Sequence, residues 1–386
     1  MRAVNTPRVV VAPDSFKGSL SAAEVATQIA DGVHAARPEA VVTTLPMADG
    51  GEGTLEALLA AWDVTAQVID TVDAIGRPRR ARWATSPDGR TGVVELAEAS
   101  GLPHVADAPL QPLHASTAGT GAVARAVLDA GVEEILVCLG GSASTDGGSG
   151  ILTGIGARLL DDDGADVPDG GEGLARVARI DLDGLHPRAR EVRWRLAVDV
   201  TNPLVGEHGA AHVFGHQKGA SDGDATYLDD ALRHWADVLA RETGERTHDT
   251  PGAGAAGGVP SGLVAVLGAE TEQGALLVAE AIGLPEALAD ADLVFTGEGS
   301  FDSQSVRGKV ADGIARLAAV APAKPPVVVL AGQVLLPAPL AWDAGIAAAF
   351  SIAPGPVELD DLIHRTPARL TDLAAQVANL SLPAAR

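Results

Sequence analysis

The sequence predicts an α/β protein of two domains, one inserted in the other. Three observations predict it. Short apolar runs alternate with helix-patterned segments at both ends of the chain. The middle carries strands that alternate polar and apolar residues between turn signals. Nearly every strand-like run also ends in a Gly-rich segment beside a carboxylate. The 386 residues suffice for two or three domains at roughly 150 residues each.

Taken in order, Arg8 to Ala12 (RVVVA) is a β-branched run ending in Pro13-Asp14-Ser15, as buried parallel strands do. Ser21 to Ala36 has helical spacing, and Glu24 stands three residues after Ser21 as in a capping box. Ala40 to Leu45 reads as a second strand, followed by Asp49-Gly50-Gly51-Glu52-Gly53-Thr54 and a helix from Leu55 to Trp62. Val64 to Thr71, Arg77 to Thr85 and Thr91 to Leu96 alternate between turns and read as antiparallel strands. Ala118 to Ala130 is a helix. Glu134 to Leu139 is a buried strand that runs into the loop Gly140 to Gly150. Trp194 to Val200 is a strand, Ala225 to Glu242 a helix, and Thr250 to Gly262 a Gly/Ala loop.

The opening pattern then returns. Asp292 to Phe295 is a strand, Ser305 to Ala319 a helix, Val327 to Leu330 and Ala347 to Ile352 strands, and Leu359 to Leu380 a helix. This places a parallel, three-layer domain of Rossmann or flavodoxin type at 1–70 and 290–386. A mixed α/β domain at 71–289 is inserted into it, with a cleft between the two.

Composition narrows the function. The chain is 46% hydrophobic and 20% charged, which excludes disorder as its main state. Its net charge of −23 argues against nucleic acid or an anionic membrane as a partner, since phosphate backbones select clustered Lys and Arg. No apolar stretch is long enough to span a bilayer. Met1 to Arg8 lacks the apolar run of a signal peptide. A single cysteine, Cys138, forms no intrachain disulfide, and a cytoplasmic location is expected. Only Lys17, Lys218, Lys309 and Lys324 are lysines, and the first three each adjoin a glycine. A compact ammonium beside exposed backbone suits a bound ligand.

Parallel sheets bind ligands beyond the carboxyl ends of their strands. The residues there are Asp14 with Ser15 and Lys17, then Asp49. Gly140, Gly141 and Ser142 through Asp146 follow, and Asp199 with Asn202. Gly297, Glu298 and Gly299 through Asp302 to Lys309 complete the set. Carboxylates for Mg²⁺, backbone N–H groups for anions and lysines for developing charge together suit phosphoryl transfer. No Walker-type P-loop is present. A literal G-x-G-x-x-G at Gly252, Gly254 and Gly257 follows no strand-like run, so its dinucleotide reading lacks context. The histidines show no metal spacing, and Cys138 reads as packing.

These segments, seven in order across essentially the whole chain, resemble the bacterial type 1 glycerate kinase family. They are Asp14-Ser15-Phe16-Lys17-Gly18, Asp49-Gly50-Gly51-Glu52-Gly53, and Gly140-Gly141-Ser142 with Asp146. Asp199 with Asn202-Pro203 and Gln217-Lys218-Gly219 follow. The last are Gly252 through Gly258, and Gly297-Glu298-Gly299 with Asp302 and Gly308-Lys309. The resemblance implies ATP- and Mg²⁺-dependent phosphorylation of D-glycerate, normally at the 2-hydroxyl. It also implies two α/β domains with the site between them. Ser300, Thr201 and Val310-Ala311 depart from the family pattern of Arg, Asp and Thr-Pro.

On that basis Asp199, which ends a buried strand in a Pro-fixed turn, is the leading general base, and Asp302 the second. Asp49 and Asp146 are expected to hold Mg²⁺, and Lys17 and Lys309 to meet phosphate or carboxylate. Asp14, Ser15, Lys218, Asn202, Gly140, Gly141, Ser142, Gly254, Gly257, Gly297, Glu298 and Gly299 are expected to bind substrate or nucleotide. The alternative role of Asp14, Asp49 and Asp199 is an N-cap or Asx turn. The competing functions are a glycerate 3-kinase, a kinase of a related hydroxy acid, an NAD(P)-dependent oxidoreductase, and a non-catalytic anion-binding protein.

Overall fold

The computed structural model describes residues 6–383. Most of the segment read for a signal peptide, residues 1–5, lies outside the described residues. Strands β1 to β6 are Arg8–Val11, Val41–Thr44, Gln67–Val72, Pro78–Thr85, Thr91–Glu95 and Glu134–Cys138. Strands β7 to β13 are Arg158–Leu160, Arg179–Asp181, Arg193–Ala197, Glu270–Glu272, Leu293–Phe301, Val327–Val334 and Ile346–Ser351. The chain divides into two compact units. The first holds the chain up to Asp49, Glu56–Trp62 and everything from Ala275; the second holds Gly50–Leu55 and Asp63–Gly274.

The first unit is built on a five-stranded parallel sheet in the order β13-β12-β11-β1-β2. Helices Ala22–Ala36 and Leu359–Ser381 pack on each other and bury Val25, Ile29, Leu370 and Val377 against Val9, Val11, Phe295 and Leu330. The predicted capping box is present: the Ser21 Oγ accepts the Glu24 N–H, and the Glu24 carboxylate accepts the Ser21 N–H at 2.8 Å. The last strands run further than the apolar pattern implies. β11 continues through Gly297, Glu298 and Gly299, with Glu298 in register with Ala331 of β12. Gly297 permits this, because a Cβ there would collide with the Leu330 carbonyl. The helix expected from Ser305 starts at Val310, since the chain turns through Asp302 to Gly308.

The second unit is built on a six-stranded sheet in the order β10-β9-β6-β5-β4-β3. β3, β4 and β5 pair antiparallel as the alternation predicts, whereas β5, β6, β9 and β10 pair parallel. Its core surrounds Trp194, Trp235, Leu128 and Ile135. The Gly/Ala loop expected over Thr250 to Gly262 is cut short by a helix at Val259–Leu267, which Gly258 in a left-handed conformation and Pro260 in the first turn start. Among the described residues no helix is long and apolar enough to cross a membrane.

Candidate active site

Each unit gathers its own set of the residues singled out above. In the first unit β1 has β2 on one side and β11 on the other, so the strand order reverses between β1 and β11. Ligands of parallel sheets bind at such a reversal, beyond the carboxyl ends. Asp14, Ser15 and Lys17 follow β1, Asp49 follows β2, and Glu298 lies near the end of β11. Asp302 directly follows β11, and Lys309 is the N-cap of helix Val310–Val320.

The Asp14 N–H donates to the Gly297 carbonyl at 2.8 Å and ties the ends of β1 and β11 together. Asp14 Oδ1 accepts the Ser15 N–H at 2.6 Å. Burial, and next the charge of Asp49, push the Asp14 carboxyl up to about 6, against the Ser15 bonds and Lys309. Glu298 is pushed up to about 7, chiefly by burial; a Ser305 hydrogen bond and Lys309 oppose this, while Asp14 and Asp302 add to it. Asp14, Asp49, Glu298, Asp302 and Lys309 thus share one electrostatic environment. Lys17 is exposed at its edge of the unit.

Asp302 proves to fix a turn: Oδ1 accepts the Gln304 N–H at 2.8 Å, and its own N–H donates to Ser305 Oγ at 3.0 Å. Ser300, the departure from the family pattern, accepts a hydrogen bond from Gln333 Nε2 at 3.1 Å. Asp312 was not singled out, yet it is buried and accepts the Gly308 N–H at 2.9 Å, which holds the turn that carries Lys309. Its signal was an Asp in the first turn of a helix behind a Gly-Lys pair.

In the second unit the strand ends of β5, β6 and β9 carry Glu95, the loop from Gly140, and Asp199. Gly140 sits against the Gly50–Gly53 loop, where a Cβ would stand 2.5 Å from Gly51 Cα. The loop is tied to residues 100–102 through Leu102 N–H to the Gly141 carbonyl (2.8 Å) and Ala143 N–H to the Ser100 carbonyl (3.0 Å). Asp146 is fully buried at its end. It accepts from the Thr117 N–H and Oγ1, both at 2.7 Å, and from the Gly148 and Gly150 N–H groups at 3.3 Å. Burial pushes its carboxyl up while these bonds work against the shift. The oxygens of Asp146, a residue expected to hold metal, meet the chain's own donors, and it anchors the loop.

Lys218 is 2% exposed. Its Nζ donates to Ser142 Oγ at 2.7 Å and to the Ser144 carbonyl at 2.6 Å. Burial pulls its ammonium down to about 7, and the Asp146 charge resists. Asp199 is exposed, and its Oδ1 accepts the Gly274 N–H at 2.9 Å. Asn202 spans its own turn through Nδ2 to the His208 carbonyl at 2.9 Å. Gly254 N–H donates to the Asn202 carbonyl, and the Gly257 carbonyl accepts from Gly147, both at 3.0 Å. These glycines pack loops together, which leaves the G-x-G-x-x-G motif without a dinucleotide context.

Sequence reasoning missed Glu95. The Gly53 and Leu55 N–H groups donate to its carboxylate at 3.0 and 2.7 Å. These amide groups, at the start of helix Thr54–Trp62, are thus satisfied by the protein itself rather than left for a substrate anion. Burial pushes Glu95 up as well. The only signal was a Glu closing a buried strand. Among the described residues no three His, Cys, Asp or Glu side chains are gathered to hold a metal ion.

Comparison with known proteins shows the family of the chain. The model of the "Glycerate kinase family" matches residues 9–382. Glycerate kinase of Bacillus subtilis (strain 168) is 42% identical over 373 residues, which cover 96% of this chain and 97% of that protein. Glycerate 2-kinase of Escherichia coli (strain K12) is 41% identical over 354 residues and 92% of each chain. A solved chain from Salmonella typhimurium LT2, described as glycerate kinase 2, superposes with a TM-score of 0.88 at 41% identity, covering 97% of this chain and 98% of that one. The chain belongs to the glycerate kinase family, enzymes that phosphorylate glycerate.

Proposed function

We propose that this enzyme transfers the terminal phosphoryl group of ATP directly to the 2-hydroxyl of D-glycerate, giving 2-phosphoglycerate and ADP. The observation that carries the reading is the acid cluster at the strand reversal of the first unit. There Asp14 and Glu298 are held protonated unusually far up the pH scale beside Asp49 and Lys309. The name of the E. coli relative supports the 2-position.

The cluster fits a magnesium ion. Mg²⁺ needs only one or two carboxylates and keeps several waters. Asp49 stands close enough that its charge raises the pKa of Asp14, so a cation there relieves their repulsion. When bound, Mg²⁺ supplies neutralising charge to the phosphate oxygens. Lys17 and Lys309 bind and orient the same phosphate group. Glu298, poised near neutral pH, takes the proton of the glycerate hydroxyl as its oxygen bonds to phosphorus and the bond to the ADP oxygen breaks. Asp199 is the competing base, placed on the second unit.

The test is ³¹P NMR of the product formed from D-glycerate, ATP and Mg²⁺. A 2-phosphoglycerate resonance is expected, and a 3-phosphoglycerate resonance would overturn the assigned position. Glu298→Gln is expected to lower kcat by ~10²–10⁴ in folded enzyme. A loss of that size in Asp199→Asn, with Glu298→Gln near wild type, would move the base to Asp199.

A further inference from the structure

Lys218 lies on the short turn His216–Lys218 and reaches the Gly140 loop at the end of β6. An ammonium carries three donors and no acceptor. When Lys218 is charged, the Ser142 oxygen must therefore accept from it, and the hydroxyl proton of Ser142 must go elsewhere. Among the described residues nothing accepts that proton, although Ser142 is 6% exposed. The neighbouring Ser144 Oγ, fully buried, has no partner at all. A buried hydroxyl in a tightly anchored loop normally finds an acceptor within the fold. Here the missing acceptor coincides with the carboxyl end of a parallel strand, where such sheets bind ligands. A buried lysine also carries a desolvation cost that mere loop packing does not require.

We propose that Lys218 is a positioning residue: by donating to Ser142 Oγ it makes the Ser142 hydroxyl a hydrogen-bond donor to an anionic oxygen of a substrate, a carboxylate or a phosphoryl oxygen. This rests on the kinase reading above for the identity of the substrates. Lys218 itself touches no substrate on this account. Its effect passes through Ser142.

Steady-state kinetics of Ser142→Ala, Ser142→Thr, Lys218→Met and the Ser142→Ala/Lys218→Met double variant test it. Loss of a hydrogen bond to a charged group is expected to raise one KM by roughly 10- to 100-fold in Ser142→Ala, with the effect on KM rather than kcat. Ser142→Thr, which keeps the hydroxyl, restores most of the affinity. Lys218→Met raises the same KM, and the double variant adds little to either single change, as coupled neighbours do. A rise in the KM of glycerate assigns the acceptor to the carboxylate, and a rise in that of ATP assigns it to a phosphoryl oxygen. Unchanged KM values in Ser142→Ala, or full additivity in the double variant, would overturn the proposal. If Lys218→Met does not fold, the Ala and Thr variants at position 142 decide alone. Calorimetric titration with glycerate or ATP alone separates this from the kinase reading. Binding lost in Ser142→Ala supports the positioning role even if no phosphate is transferred, and binding equal to wild type overturns it.

Discussion

Burial sets the pH behaviour of Asp14, Glu298 and Lys218 more than any ion pair does. A carboxyl raised in the folded state adds stability that is present at low pH and lost as pH rises through its folded pKa. For Asp14 and Glu298 that loss runs from the ordinary carboxyl range up to about 6 and about 7. Asp14→Asn and Glu298→Gln are therefore expected to flatten the fall of Tm between about pH 4 and 7, read by calorimetry across buffers. A curve parallel to wild type would mean that neither group is held protonated. Lysine runs the other way. With a folded pKa near 7, Lys218 binds fewer protons than in the unfolded chain above that pH, so its contribution to stability rises with pH toward the ordinary lysine range. A cation at Asp14 and Asp49 favours their ionised forms, so Mg²⁺ alone is expected to raise Tm more at pH 8 than at pH 5. An equal rise at both pH values would place the ion elsewhere. Asp14, Asp49, Lys17 and Lys309 stand out in the sequence because they follow strand-like runs, and all but Asp14 adjoin a glycine in a chain with four lysines. The loop-anchoring bonds of Asp146 have no signal of their own, since a carboxylate that anchors its own loop has the same sequence signature as one that faces a ligand.

Local patterns located most elements, and the misreadings occur where a strand or helix end is set by contacts distant in sequence. The Ser21–Glu24 box is entirely local and was readable. The extension of β11 through Glu298 depends on pairing with β12, about thirty residues later, and no local pattern announces it. Glu95 shows the same limit at a helix start. It takes the Gly53 and Leu55 N–H groups from forty residues away, and its carboxylate is buried. Glu95→Ala leaves these donors unpaired and is expected to lower stability by about 2 kcal/mol, read as a shift of the urea midpoint at unchanged m. An unchanged midpoint would mean that water replaces the carboxylate without cost. Close helix contact is a third case. Gly32 on helix Ala22–Ala36 faces helix Leu359–Ser381 so tightly that a Cβ would stand 2.7 Å from the Ala374 Cβ. Gly32→Ala forces the two helices apart and is expected to cost roughly 1–3 kcal/mol despite the gain in helix propensity. A stabilised variant would show that the pair separates freely.

At the scale of the whole molecule, the β/α pattern returns after Ala291, and β1, with β2 on its other side, pairs with β11 from that far end of the chain. What the sequence could not mark is that the short segment Gly50–Leu55 belongs with the second unit while the rest of its helix, Glu56–Trp62, belongs with the first. The reason is physical: Gly50 meets Ala197 and Gly274, Gly51 lies against Gly140, and Gly53 and Leu55 bind Glu95, all within the second unit. The second unit has its own core around Trp194 and Trp235, so it meets the condition for folding alone. A fragment of residues 50–274 is accordingly expected to unfold cooperatively in urea. A fragment of residues 63–274 keeps that core but leaves Glu95 buried without its two donors and uncovers Gly140. It is expected to unfold at a lower urea concentration, and Glu95→Ala should cost it far less than it costs the longer fragment. Equal midpoints for the two fragments would show that residues 50–55 merely rest on the second unit, and would remove Glu95 as the group that holds them there.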